Sequence, residues 1–330
     1  MLKCVLQTEQ IPFGIPMFRK LSTLCYKKIS ALTTLGFHRY SSIMGRSFDL
    51  VNKSQKAREQ DYLSYNYRAI LSLLSSEPIV HLDIGAGDGA DPIVKKYDEY
   101  FEKICVEPRT SELGRLGAAG GKVIAKAISN KTGVHKLYRT KADQLSSLLQ
   151  PKGEFAWLYA STRWEEVVDI NEVETTTIEQ GLSDLSVTNL DYLKVDTQGT
   201  ELDVLKSLGR FRPLFVKSEV FLVPMYRDSC LFWDIGKFLF DHGYVMSDLA
   251  YRSNHIVRED DYSNAPVGRL PTGGRVWFMP NWKIELGQKM ILDRDLQYAK
   301  LMIMFGMKDI LKEVLSNLIT PNRDKILAVL

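Results

Sequence analysis

The sequence predicts an α/β protein, with a mostly parallel seven-stranded sheet, flanking helices, a β-rich insert and helical extensions at both ends. From residue 78 to about 280, short apolar runs alternate with helical patterns, the rhythm of strands joined by crossover helices. One run ends in the glycine-rich turn of "HLDIGAGDGADP" at 81–92. Another, "NLDYLKVDTQGTELDVLKSLG" at 189–209, passes from a buried strand into an amphipathic helix through a polar turn.

Taken in order, residues 1–75 read as a helical extension, with apolar residues at helical spacing in "YLSYNYRAILSLL" before "SSEP" breaks the pattern. The central domain spans 76–281. Its strand candidates are Ile79–Ile84, Lys103–Val106, Val123–Ile128, Tyr192–Val195, Pro213–Val220, Tyr244–Leu249 and Arg275–Met279. Between the third and fourth lies an insert, 133–178, whose β-rich, Gly-punctuated texture predicts a hairpin or flap. Residues 282–330 read as a helical tail, broken at Gly306. The tail is either an intramolecular cap or a surface through which copies of the chain could pair.

Bulk properties exclude several classes. A net charge of +3, without basic runs interleaved with aromatics, gives no nucleic-acid surface. Cys4, Cys25, Cys105 and Cys230 are scattered, with no CxxC and no metal spacing. They predict a reducing, cytoplasmic setting rather than a disulfide framework. The first residues lack the pattern of a secretory signal, and the basic, acid-poor start is not Ser/Arg-dominated as a transit peptide would be. No apolar run approaches the roughly 20 residues of a membrane span.

The chemistry concentrates at two turns. After the strand ending Asp83-Ile84, the run Gly85-Ala86-Gly87-Asp88-Gly89 permits positive φ and close approach of a ligand to backbone. Asp91 and Pro92 suit the start of the next helix. Glu107 closes the second strand roughly 20 residues past Gly85, where an acid meets a ribose in nucleotide-binding βαβ units. The literal pattern Gly85-x-Gly87-x-x-Ala90 also admits an NAD-dependent oxidoreductase. Asp83 just before the turn, and Asp88 where a pyrophosphate would lie, favour S-adenosylmethionine instead. At the second turn, Asp196, Gln198 and Glu201 cluster at a strand's carboxyl end, and the following strand sends Glu219 to the same edge. Ligands bind at that edge in open α/β sheets. Glu201 could equally serve only the helix start, and Lys194 only pair with an acid. His81, inside the first strand, reads as a buried histidine more readily than as a base.

These motifs, in order, resemble the FkbM family of S-adenosylmethionine-dependent methyltransferases: "DIGAGDG", "VEP" at 106–108, "AISNKTG" at 127–133, "SSLL" at 146–149, "VETTTI" at 173–178 and "LKVDTQGTELDVL" at 193–205. The resemblance implies a Rossmann-like class I methyltransferase fold whose last strand runs antiparallel. It places the cofactor over Gly85, Ala86 and Gly87, its ribose on Glu107, its adenine near Ala127 and Ile128, and its amino group on Asp83 or Asp88. Asp196, also beside the cofactor, is the first candidate for catalytic proton acceptor and Glu219 the second. Trp157, Tyr159, Tyr226 and Arg227 are candidate acceptor contacts, and no metal is called for. Trp164 and the other insert aromatics could equally form the insert's own core. The implied reaction is O-methylation of a glycan sugar hydroxyl, with a small secondary metabolite as the rival acceptor.

Overall fold

The computed structural model describes residues 63–88, 91–109, 112, 114, 117, 120–155, 164–255 and 269–330. Its centre is a seven-stranded sheet. Strands β1 (Ile79–Ile84), β2 (Phe101–Val106) and β3 (Lys122–Ile124) form one wing. Strands β7 (Tyr192–Val195), β8 (Phe215–Phe221), β9 (Tyr244–His255) and β10 (Arg269–Pro280) form the other. The order is β3-β2-β1-β7-β8-β10-β9. β10 alone runs antiparallel to its neighbours β8 and β9. The central strands β7 and β8 are buried at every position, which is why they read as unbroken apolar runs around a few paired charges.

The third strand differs from its expectation. Val123–Ile128 is not one strand: Lys122–Ile124 pairs with β2, and after two residues β4 (Ala127–Ile128) joins a second sheet. That sheet has the order β4-β6-β5, with β5 (Gly133–Thr140) and β6 (Val167–Thr176) forming the antiparallel hairpin of the insert. Leaving the main sheet costs no backbone pairing, because Glu107 N donates to Ile124 O (3.2 Å) and Ser129 N donates to Thr176 O (2.9 Å). The last two strands are longer than expected. Their antiparallel ladder continues past Leu249 and ahead of Arg275, through irregularities near Gly273 and Trp277.

Helix α1 (Arg68–Leu74) buries Leu71 and Leu74 in the main core. Helix α2 (Pro92–Lys96) starts as the sequence implies, with the Asp91 carboxylate accepting from Ile93 N at 3.0 Å and Pro92 at the first position. In the tail, the helix at Asp295–Met304 buries every residue from Tyr298 to Met304. The chain turns at Gly306 (φ 71°) into the helix Lys308–Asn317. Phe305 stacks on Phe215 of β8, with ring centroids 4.4 Å apart. The tail helix therefore caps the core of its own chain. Among the described residues no helix is long and apolar enough to cross a membrane.

Lys300 is fully buried in this helix and donates to Glu77 O at 2.6 Å. Burial pushes its ammonium down to about 8 from an ordinary 10.5, against the pull of Asp191. Between those two pH values the unfolded chain holds a proton that the folded chain has released, so this group adds stability as pH rises through 8 towards 10.5. The thermal midpoint of the protein should carry that rising component, and Lys300→Met should lose it. An unchanged pH slope in the variant would refute the assignment.

Candidate functional site

Three strand tips converge at the carboxyl edge of the sheet. Asp196 N donates to Ile84 O at 3.0 Å, Gly85 N donates to Val106 O at 3.3 Å, and Gly85 turns with φ +84°. A Cβ on Gly85 would stand 1.9 Å from the Asp196 carbonyl oxygen, so only glycine fits beneath the neighbouring strand. Over these tips lies a cavity open to solvent. Gly85, Gly87, Glu107, Ala127, Ile128 and Asp196 all line it. The insert closes its far side with Leu137, Asp143, Gln144, Ser146, Ser147 and Leu148.

Other expected site residues lie elsewhere. Asp83 is buried beneath the turn, paired with Lys194 Nζ at 2.7 Å, and does not line the cavity. Burial pulls the Lys194 ammonium down, but the charges of Asp83 and Asp196 outweigh it and hold it above its ordinary value. Ala86 is buried at the start of the short 3-10 turn Ala86–Asp88. Tyr226 is buried against Trp164, Phe221 and Met225. Its hydroxyl lies 2.8 Å from Leu145 O and 3.2 Å from Gln198 Oε1. Arg227 is exposed and outside the cavity lining. Trp157 and Tyr159 lie outside the described residues. Trp164 is fully buried, so its role is to pack the base of the insert.

Gln198 joins the two candidate acids. Its Nε2 donates to Asp196 Oδ1 (2.9 Å) and to Glu219 Oε2 (2.6 Å), one amide hydrogen to each carboxylate. Its φ of +59° is held by the loop around it. Glu201 accepts from the backbone N–H groups of Thr197 and Gly199 at 3.0 Å each, and the Ser147 hydroxyl donates to Gln198 O at 2.8 Å. Burial raises the Glu201 carboxyl above its usual range, against those backbone donors. Glu201 therefore shapes the loop rather than facing a ligand. On the other side of Asp196, Arg275 approaches at 3.6 Å. Glu219 lies behind Gln198 and does not line the cavity.

The sequence reading missed Arg109. Its Nε and Nη2 donate to Glu107 Oε1 (2.8 Å) and Oε2 (2.9 Å), and its Nη1 donates to Asp143 Oδ2 at 2.6 Å. The signal was present in "VEPR": residues two apart in an extended segment point the same way. His81 is buried in β1 and stacked on Tyr192, with Nδ1 3.2 Å from the Tyr192 carbonyl oxygen. Burial lowers its pKa and keeps it neutral at pH 7. Among the described residues no group of three His, Cys, Asp or Glu side chains is placed to hold a metal.

A parallel sheet with one antiparallel strand inside its edge, and a cavity over a glycine turn with an acid at the next strand tip, is the architecture of Rossmann-like, S-adenosylmethionine-dependent methyltransferases. Residues 83–246 match the methyltransferase FkbM domain, and the chain carries a domain of that family. No curated protein sequence matches it. Among solved structures, it is similar to the precorrin-6y C5,15-methyltransferase of Geobacter metallireducens, at 12% identity over 69% of this chain and 90% of that one, with TM-score 0.33. It is also similar to M. capricolum TrmK in complex with S-adenosyl-homocysteine, at 11% identity over 79% and 92%, TM-score 0.30. A third is the Burkholderia thailandensis 1,6-didemethyltoxoflavin-N1-methyltransferase, at 12% identity over 83% and 93%, TM-score 0.28.

Gly85→Ala forces a Cβ into the Asp196 carbonyl at a positive φ. Chemical denaturation should show a loss of about 1–3 kcal/mol or more. Wild-type stability in this variant would mean that the strand tips do not touch as described.

Proposed function

We propose that the protein is an O-methyltransferase that moves a methyl group from S-adenosylmethionine to a hydroxyl of a sugar in a glycan or glycoconjugate. The observation that carries this reading is the placement of Glu107 and Asp196 on one cavity, which Gly85 and Gly87 of the glycine turn also line.

The residues fit the donor. Gly85 and Gly87 line the cavity without side chains, and Glu107 is a buried carboxylate lining the same space. Its two oxygens suit the two hydroxyls of a ribose. Ala127 and Ile128 offer an apolar wall for the adenine, and Ser146 and Gln144 supply polar groups from the insert. When bound, the donor supplies a sulfonium methyl that is already electrophilic.

The protein must then align the acceptor, keep water out and take a proton. Alignment and exclusion fall to the insert, whose segment 143–148 covers the cavity. Proton acceptance falls to Asp196. A sugar hydroxyl is a poor nucleophile at neutral pH and gains from a nearby carboxylate as the bond forms. Gln198 fixes that carboxylate through Oδ1, leaving Oδ2 on the side of Arg275. Glu219, behind the same amide, keeps Gln198 oriented and adds negative charge near Asp196. Asp83 acts from beneath the turn, where its pair with Lys194 holds β1 against β7.

Two variants separate these roles. Glu107→Gln should weaken S-adenosylhomocysteine binding by about tenfold or more in calorimetry, since a charge-assisted acceptor becomes a neutral one. Asp196→Asn should bind it within about threefold of wild type, yet lose about a hundredfold in turnover. Turnover is read as transfer of a labelled methyl from S-adenosylmethionine to a panel of methyl glycosides. Label passing to aliphatic polyketide hydroxyls in preference to the glycosides would overturn the sugar acceptor. A thermal shift with NAD and none with S-adenosylhomocysteine would overturn the donor.

A further inference from the structure

Arg109 stands in the space that a donor needs. Its guanidinium faces both oxygens of Glu107 at once, and Arg109 N adds a third hydrogen bond to Oε1 at 2.9 Å. Its Nη2 also lies only 1.9 Å from where a Cβ on Gly87 would be, so the guanidinium crosses the glycine turn itself. The remaining amino group, Nη1, reaches out of the central sheet to the insert, where Asp143 accepts through Oδ2 (2.6 Å) and its backbone carbonyl (3.2 Å). Arg139 of β5 braces the same Asp143 at Oδ1, 3.2 Å away. One side chain thus joins the β2 tip, the glycine turn and the insert, three of the surfaces that enclose the cavity.

We infer that Arg109 is a donor-displaced latch. It competes with the donor's ribose for Glu107, and when displaced it remains tethered to Asp143, so that loading the cavity and releasing the insert from the β2 tip are one event. The inference rests on the reading of Glu107 as the ribose acceptor. A ribose diol that takes one carboxylate oxygen for each hydroxyl cannot share Glu107 with a bidentate guanidinium, because the fork already lies along both oxygens. The apparent affinity for the donor is then the intrinsic affinity reduced by the fraction of molecules with the latch open. Glu107 is buried, so an open latch leaves a carboxylate in need of donors. That need draws a diol in, and after transfer it draws Arg109 back, helping the demethylated product to leave.

A guanidinium that only braced the fold would behave differently. Its loss would lower stability and leave ligand affinity unchanged or weakened, because Glu107 would be less well ordered. The latch gives the opposite sign.

The test is calorimetric titration of S-adenosylhomocysteine into the full chain as wild type, Arg109→Gln and Asp143→Asn, at about 0.05 and about 0.5 M KCl. Arg109→Gln should bind about tenfold more tightly than wild type. Asp143→Asn, altered only at the half-exposed end of the latch, should tighten about threefold, and it carries the test if the arginine variant does not fold. Wild-type affinity should rise with salt, as screening loosens the pairs, while that of Arg109→Gln stays flat. Equal or weaker binding by both variants overturns the latch and leaves the donor site standing. Absence of heat from all three proteins removes the donor site, and the latch with it.

Discussion

The structure depends on a single close approach, that of the Gly85 Cα to the Asp196 carbonyl. No side chain fits between them, and β1 and β7 meet at their tips with Asp196 N held by Ile84 O. From that contact the site unfolds in both directions. Gly85 turns away at positive φ and lays the next residues across the tip of β2, which brings Gly87 beside Glu107. On the other side, the chain leaving Asp196 must turn at once, and Gln198 and Gly199 both adopt positive φ to do so. Two carboxylates on different strands therefore face one cavity because two backbones touch, and the polar turns are the consequence of that touch.

Much of this was legible in the sequence for reasons that can be stated. Strands buried on both faces, such as Tyr192–Val195, appear as apolar runs of the right length, and a glycine turn at a strand's end names its own conformational need. Glu107 and Asp196 could be placed because strand ends in a parallel sheet face the same edge. What sequence could not give was pairing. The break between Ile124 and Ala127 leaves no mark on hydrophobicity, since both pieces are apolar and differ only in which strand they pair with. Tyr226 carries the residue type of a sugar contact, yet its ring sits in the small core under the insert with Trp164. Asp83 carries the type of a ligand-binding acid, yet a lysine on the next strand claims it. Residue type and strand position were readable, but the partner each side chain would find was not.

The insert links fold to function. Its hairpin grows from β4, so its base is fixed to the strand whose residues Ala127 and Ile128 line the cavity. Its other end is fixed by Ser147 on Gln198 and by Tyr226 on Leu145. Those two contacts join it to the loop that carries the candidate proton acceptor. A segment held at both the β4 wall and the 196–199 loop can shape the cavity without changing the sheet beneath it.

The charges at this edge fall into an order that separates framework from chemistry. Four of the acids pair with a cation, and the cations become more exposed along a series: Lys217 on Asp91 at 2%, Lys194 on Asp83 at 8%, Arg109 on Glu107 at 14% and Arg275 on Asp196 at 26%. The first two pairs are closed at 2.7 Å beneath the turn. Breaking one would strand a buried charge at a cost of about 3–5 kcal/mol, so they serve to fix α2 and the strand tips. In the last two, the cation is the more exposed and the acid lines the cavity. A carboxylate whose partner can swing out into water can exchange that partner for a ligand, and one whose partner is walled in cannot. The four acid–cation pairs therefore run from two walled-in contacts that hold the turn to two at the cavity, where the proposed donor-binding and proton-accepting acids lie.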